Sequence, residues 1–225
     1  MRRERATRVF RYASLMITLY TAPGTAGMMV HWLLLELDAP HELRLLNLEK
    51  REHKTPEYLQ LNPAGVVPAA VVDGRALCEA AAIAMHVVDM HPRAQLAPAL
   101  GTPERAAYYQ WMFFMSNTLQ PAYRAWFYPH EPAGEKNVDD AKDRARQQIE
   151  AGWERVAAHL EGTGPFLLGD KVSAADFMLT MLMRWSRRMP KPATSWPALL
   201  AHAQTMRARP SWQELYKREG LTEWA

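Results

Sequence analysis

Asn62-Pro63-Ala64-Gly65-Val66-Val67-Pro68 runs straight into Ala69-Ala70-Val71-Val72, then Asp73-Gly74, then Arg75-Ala76-Leu77-Cys78 and Glu79-Ala80. Asp-Gly between two apolar runs is the two-residue loop that type I′ hairpins favour, so residues 69–72 and 75–78 are read as paired strands. A helix is expected over 79–90. Pro68 removes one backbone donor at the strand entry. If its peptide bond is cis, the chain turns so that Val67 presents its own N–H and C=O outward, an edge that an extended peptide can pair with. The same residues also fit an ordinary loop-to-strand entry.

Upstream, Met16-Ile17-Thr18-Leu19-Tyr20 is a short apolar run stopped by Pro23-Gly24, as expected of a buried strand and a turn. The stretch Met28-Met29-Val30-His31-Trp32-Leu33-Leu34-Leu35 is apolar on nearly every side and suits a helix packed on a sheet. A second strand is expected over 43–48. The order β-α-β, a variable stretch, then β-β-α predicts a small sheet with helices on both faces, an α/β unit over residues 16–91. Residues 92–103, rich in Pro, Ala and Gly, read as a linker.

Residues 104–225 show no convincing strand. Residues 104–128 are helical and aromatic, with Pro121 expected to kink them. Ile149, Trp153, Val156 and Leu160 form an amphipathic stripe along 139–161. Ser173-Ala174-Ala175-Asp176 resembles a capping box opening another helix, with Asp in place of the usual Glu or Gln. Two closing helices are expected over 197–206 and 211–219.

The 225 residues are 48% hydrophobic and 23% charged, which excludes overall disorder and provides for one large domain or two small ones. No apolar run is long enough to span a membrane. The net charge of +3 is misleading, because residues 1–15 carry five arginines against one glutamate. That +4 leaves the remainder at −1, so no nucleic-acid surface is expected on the body of the protein. The segment fits a solvated basic extension, an over-called start upstream of Met16, or a short targeting segment. The single cysteine, Cys78, can form neither an internal disulfide nor a cysteine zinc cage, which suits a reducing compartment. It is expected to pack in the core. The eight histidines show no metal-ligand spacing, so no metal is expected.

Four pieces carry candidate chemistry. Tyr20-Thr21-Ala22-Pro23-Gly24-Thr25-Ala26-Gly27 runs from strand to helix through small residues, and a helix N-terminus offers unpaired amides and a positive dipole end to an anion. The Val67-Pro68 edge is the second. Glu79-Ala80 opens the helix after the hairpin, where Glu79 serves either the dipole or a ligand ammonium while the Ala80 amide meets a carboxylate. His53-Lys54 supplies two donor or cationic groups that fit equally a solvated loop.

Together these residues resemble the glutathione transferase family. Asn-Pro-x-Gly-x-Val-Pro, then Asp-Gly, then Leu-x-Glu-x-x-x-Ile at 77–83 is similar to its thioredoxin-like N-terminal domain. Gly164-Pro165-Phe166-Leu167-Leu168-Gly169-Asp170-Lys171-Val172-Ser173-Ala174-Ala175-Asp176 is similar to its all-helical C-terminal domain. The likeness is closest to the bacterial beta-like group, with His53-Lys54 resembling a phi-class pair. The resemblance implies glutathione as cosubstrate, with Val67 and Pro68 on its cysteinyl unit. Glu79 and Ala80 would then hold its γ-glutamyl end, and His53 and Lys54 its glycyl carboxylate.

It further implies conjugation to an apolar electrophile, or reduction of an organic hydroperoxide, by a cytoplasmic homodimer. The resemblance places Tyr108, Trp111, Met112, Met115, Asn117 and Tyr123 on the helix walling the second substrate's pocket, and interdomain core suits each equally. Departures are Ala80 for the usual Ser or Thr, Ala26 for the beta-class cysteine, and Gln120-Pro121 for the beta-class His-Lys pair. Thiol activation is therefore open between the Thr25 hydroxyl and the amides of Ala26 and Gly27. A non-catalytic binding protein and a maleylacetoacetate isomerase-like enzyme are the competing expectations.

Overall fold

The computed structural model describes residues 16–224, so the basic extension lies outside the described residues. Strand β1 (Ile17–Thr21) leads to helix α1 (Gly27–Glu36), strand β2 (His41–Leu45) and helix α2 (Pro56–Leu61). Strands β3 (Ala69–Val72) and β4 (Arg75–Cys78) form the hairpin, and helix α3 (Ala80–Met90) follows. Asp73 and Gly74 take φ of +51° and +72°, the left-handed pair that the hairpin turn requires. The sheet order is β2-β1-β3-β4, with β1 parallel to β2 and antiparallel to β3. Ile17 and Leu19 of β1 and Ala70 and Val72 of β3 are buried, the alternation expected of a sheet at the heart of a domain.

Two sequence expectations are corrected here. The second strand runs over His41–Leu45, not 43–48, because Leu46 gives its amide to Thr21 O and the chain then turns. Asn47 closes that turn, accepting from the Lys50 amide at 2.9 Å and donating its own to Glu52 at 2.7 Å. The variable stretch also contains helix α2, capped by Thr55 and entered through Pro56.

The remainder is helical: α4 (Pro103–Phe114), α5 (Gln120–Phe127), α6 (His130–Ala133), α7 (Val138–Thr163), α8 (Ala174–Trp185), α9 (Pro197–Arg207) and α10 (Pro210–Glu219). Pro121 is met by a π-helical turn, Met115–Leu119, just before α5. The wider turn absorbs the hydrogen bond that a proline cannot donate. Helix α8 opens with the capping box, Ser173 and Asp176 bonding reciprocally. The buried Asp176 carboxylate also accepts the Leu167 amide at 2.9 Å, tying the preceding loop to the helix.

The two parts share one core. Trp32 of α1 packs tilted against Phe177 of α8 at 4.4 Å and edge-on against Trp212 of α10 at 4.7 Å, and its Nε1 donates to Ser211. This fixes α1, and hence the start of α1, against helices more than a hundred residues away in the chain. Among the described residues no helix is long and apolar enough to cross a membrane.

Candidate functional site

The turn between β1 and α1 is built around the carbonyl of Ala22. It accepts from the Thr25 amide at 3.2 Å, the Thr25 hydroxyl at 2.7 Å and the Thr21 hydroxyl at 3.4 Å. The two threonine oxygens are 3.2 Å apart. Gly27 allows this crowding: a Cβ there would lie 2.0 Å from Thr21 Oγ1 and 3.1 Å from Pro68 Cβ. Only glycine lets α1 press this closely on the end of β1. The amides of Ala26 and Gly27 find no partner among the described residues, as expected at a helix N-terminus.

From the far side, Glu219 of α10 accepts the Gly24 amide at 2.8 Å and holds His31 Nδ1 at 2.8 Å, with both side chains fully buried. Trp185 donates to Gly24 O at 2.9 Å. The turn is thus gripped by the last helix and by the end of α8, not by local contacts alone.

Opposite the turn, the Val67–Pro68 peptide bond is cis. Val66 O receives Tyr58 Oη at 2.6 Å and Asn62 Nδ2 at 2.7 Å, which pins the loop. Burial pushes the Tyr58 phenol up to about 12, so it stays a donor across the physiological range. Val67, next in the chain, has neither its N–H nor its C=O bonded among the described residues, and it faces the cleft.

Glu79 caps α3 with φ +68° and ψ +110°, a region that costs a non-glycine residue about 1–3 kcal/mol. Its side chain is exposed in the cleft, and the Ala80 amide beside it belongs to the unpaired first turn of α3. Lys54 reaches over the loop, Nζ lying 3.4 Å from Ala64 O. Burial, then the Lys54 and Arg51 charges, lower the His53 pKa, so this imidazole is neutral at pH 7.

These pieces border one open cleft of about 1380 Å³. Thr25, Ala26, His53, Lys54, Val67, Glu79 and Ala80 line it, whereas Gly27 and Pro68 pack just behind its wall. Met112 and Asn117 line its helical side. Tyr108, Trp111, Met115 and Tyr123 do not; they are at most 4% exposed and belong to the helical core. The apolar wall is made instead by Phe113, Phe127, Tyr128 and Trp185, with Arg184 beside them. Sequence reasoning missed these. The usable signal was Arg184-Trp185, a charge set into the end of an otherwise apolar helix.

Cys78 sits half-buried on β4 with Sγ 3.4 Å from Leu61 O, not packed in the core as expected, because β4 is a sheet edge. Desolvation, and then the Glu79 charge, raise its pKa.

Comparison with known proteins gives a consistent picture. The family model for the glutathione S-transferase N-terminal domain matches residues 15–89, and that for the C-terminal domain matches 139–218. A glutathione S-transferase of Xanthomonas campestris pv. campestris, GST-4.5, is 33% identical over 207 residues, covering 90% of this chain and 98% of that protein. Among solved structures, a ternary complex of BphK, a bacterial GST, superposes with TM-score 0.82 at 35% identity, covering 91% of this chain and all of that one. A glutathione transferase homologue from Sulfitobacter with bound glutathione gives TM-score 0.84 at 26% identity, covering 92% of this chain and all of that one.

Proposed function

Because the chain belongs to the glutathione transferase family, we propose that its cleft binds glutathione along Val67 and aims the thiol at the N-terminus of α1. The observation that carries this is the unpaired N–H and C=O of Val67, facing the same cleft as Thr25 and Ala26. A cysteinyl unit laid antiparallel to Val67 satisfies both groups, as an added strand does. The exposed Glu79 carboxylate then takes the γ-glutamyl ammonium, and the Ala80 amide its carboxylate. His53 and Lys54 take the glycyl carboxylate, the neutral imidazole as a hydrogen-bond donor and the ammonium as a charge.

Thiol activation divides between two groups. A free thiol of pKa about 8.5 must fall about two units, or about 2.7 kcal/mol, to be mostly thiolate at neutral pH. A hydrogen bond to a charged sulfur contributes about 1.5–3 kcal/mol, and a helix N-terminus about 0.3–1 kcal/mol. Thr25 must turn its hydroxyl away from Ala22 O to donate. That exchange is cheap, because Ala22 O keeps the Thr25 amide and has the Thr21 hydroxyl in reach. Thr25 and the amides of Ala26 and Gly27 together therefore supply the shift.

We propose conjugation to electrophiles with an apolar body, or reduction of organic hydroperoxides by the same thiolate. The support is the wall of Met112, Phe113, Phe127, Tyr128 and Trp185, a loose aromatic surface suited to such substrates. A detoxifying role in the cytoplasm and a homodimeric state are carried over from the family as part of this proposal. Retention on immobilised glutathione, followed by turnover of a neutral aryl halide, tests the reading. Retention without turnover of any electrophile or hydroperoxide contradicts it.

A further inference from the structure

Arg184 is 4% exposed, at the end of a helix whose residues 174–184 are all buried. Its Nε donates to Tyr216 Oη at 2.8 Å, and its guanidinium lies over the Tyr216 ring at 5.6 Å. Both contacts are to one neutral residue. Among the described residues it forms no ion pair, and its two terminal nitrogens have no hydrogen-bond partner, yet neither is sealed away from the cleft. A buried guanidinium without a counter-ion is costly, and a fork of free donors in a cleft matches a carboxylate.

Its position says which ligand this charge meets. A Cβ on Gly24 would lie 2.8 Å from Arg184 Nη1, so the guanidinium borders the turn that presents Thr25. It comes from the helical side, adjoining Trp185 and the Phe127 ring 6.2 Å beyond it. Of the acids lining the cleft, Glu131 is engaged by Arg124 and Asp89 by Arg105, while Glu79 is the carboxylate assigned above to the ligand ammonium; outside it, Glu219 is held by the Gly24 amide and His31, and Glu223 by Arg187 and Arg188.

We propose that Arg184 is the anion anchor of the second-substrate site, and that the preferred electrophile carries a carboxylate on its apolar body. The inference rests on the glutathione reading above and narrows its substrate class. An aryl ring lies along Phe127 and Trp185 with its carboxylate on Arg184, which holds the reacting carbon toward the sulfur. For an aryl chloride the thiol proton has already passed to solvent. The C–S bond then forms, the C–Cl bond breaks, and chloride leaves with the electron pair.

The test compares a chloronitrobenzoate with the chloronitrobenzamide substituted at the same positions, at saturating glutathione, each rate divided by its spontaneous rate. Wild-type kcat/KM, so normalised, should favour the benzoate by about tenfold or more. Arg184→Met should erase the preference and Arg184→Lys should keep part of it. No preference in wild type overturns the inference, as does an equal loss on both substrates in Arg184→Met, which would place the residue on the thiol or the fold. Should the variants not fold, wild-type turnover of a neutral aryl halide is inhibited instead with plain benzoate and benzamide. Benzoate competing the more strongly with the electrophile supports the anchor, and equal or weaker inhibition overturns it. Absence of glutathione binding in wild type would sink the underlying reading as well, whereas binding and turnover without preference sinks only the anchor.

Discussion

In the proposed site the chemistry would turn on Thr25, whose hydroxyl would exchange Ala22 O for an arriving thiolate. Donation to sulfur gains about 1.5–3 kcal/mol, against about 0.5–1.5 kcal/mol for the bond given up. Thr25→Ala should therefore raise the pKa of bound glutathione by about one unit, while Thr25→Ser leaves it near the wild-type value. An unchanged pH–rate midpoint in Thr25→Ala would assign activation to the amides alone. Gly27 allows no such latitude. Gly27→Ala puts a methyl into Thr21, and the urea midpoint should fall by the equivalent of about 2–3 kcal/mol. Cys78 lies beside the site but outside its chemistry. With its pKa raised by burial and by Glu79, it stays a protonated thiol at pH 7, and alkylation should accelerate only above the usual thiol value of about 8.5. Rapid alkylation at neutral pH would contradict that.

At the scale of elements, the loops before helices do more than connect. Asp176 holds the Leu167 amide, the Ser173 amide and the Ser173 hydroxyl from a fully buried position. Asp176→Ala orphans three donors and should destabilise the protein by about 3 kcal/mol, read as a lower denaturation midpoint with unchanged slope. That cap was legible in the sequence, as were the hairpin at Asp73-Gly74 and the stripe of α7, since each depends on neighbours a few residues apart. The pieces proposed to hold glutathione, Val67, Glu79-Ala80 and His53-Lys54, were singled out for the same reason, and the structure brings them to one cleft. Helix α2 was overlooked although Thr55-Pro56-Glu57 carries a cap, a proline at the first position and an acid. The register of β2 was hidden because its burial alternation is weak on a sheet edge. The facing of 108–123 was illegible because apolar and aromatic residues occur on both sides of these helices: Tyr108, Trp111, Met115 and Tyr123 are buried, whereas Phe113, Phe127 and Tyr128 are exposed. Arg184 belongs to the same class, since its partners are distant in the chain.

The molecule as a whole is tied together through the turn between β1 and α1. Glu219, five residues before the last described one, holds both Gly24 and His31, so the C-terminal helix clamps the start of α1. Glu219→Ala leaves a buried imidazole and an amide without their acceptor and should lower stability by about 3 kcal/mol, with glutathione retention weakened in parallel. Because Trp32, Phe177 and Trp212 form one continuous core across both halves, thermal unfolding should show one transition by near- and far-ultraviolet dichroism, not two. The cleft of Val67, Glu79-Ala80 and His53-Lys54 is proposed to deliver the sulfur of glutathione to the opening of α1. The most direct measurement is the ultraviolet absorbance of the glutathione thiolate, titrated against pH in the presence of the protein. A midpoint about two units below that of free glutathione is the predicted result; a midpoint matching the free tripeptide would contradict the account.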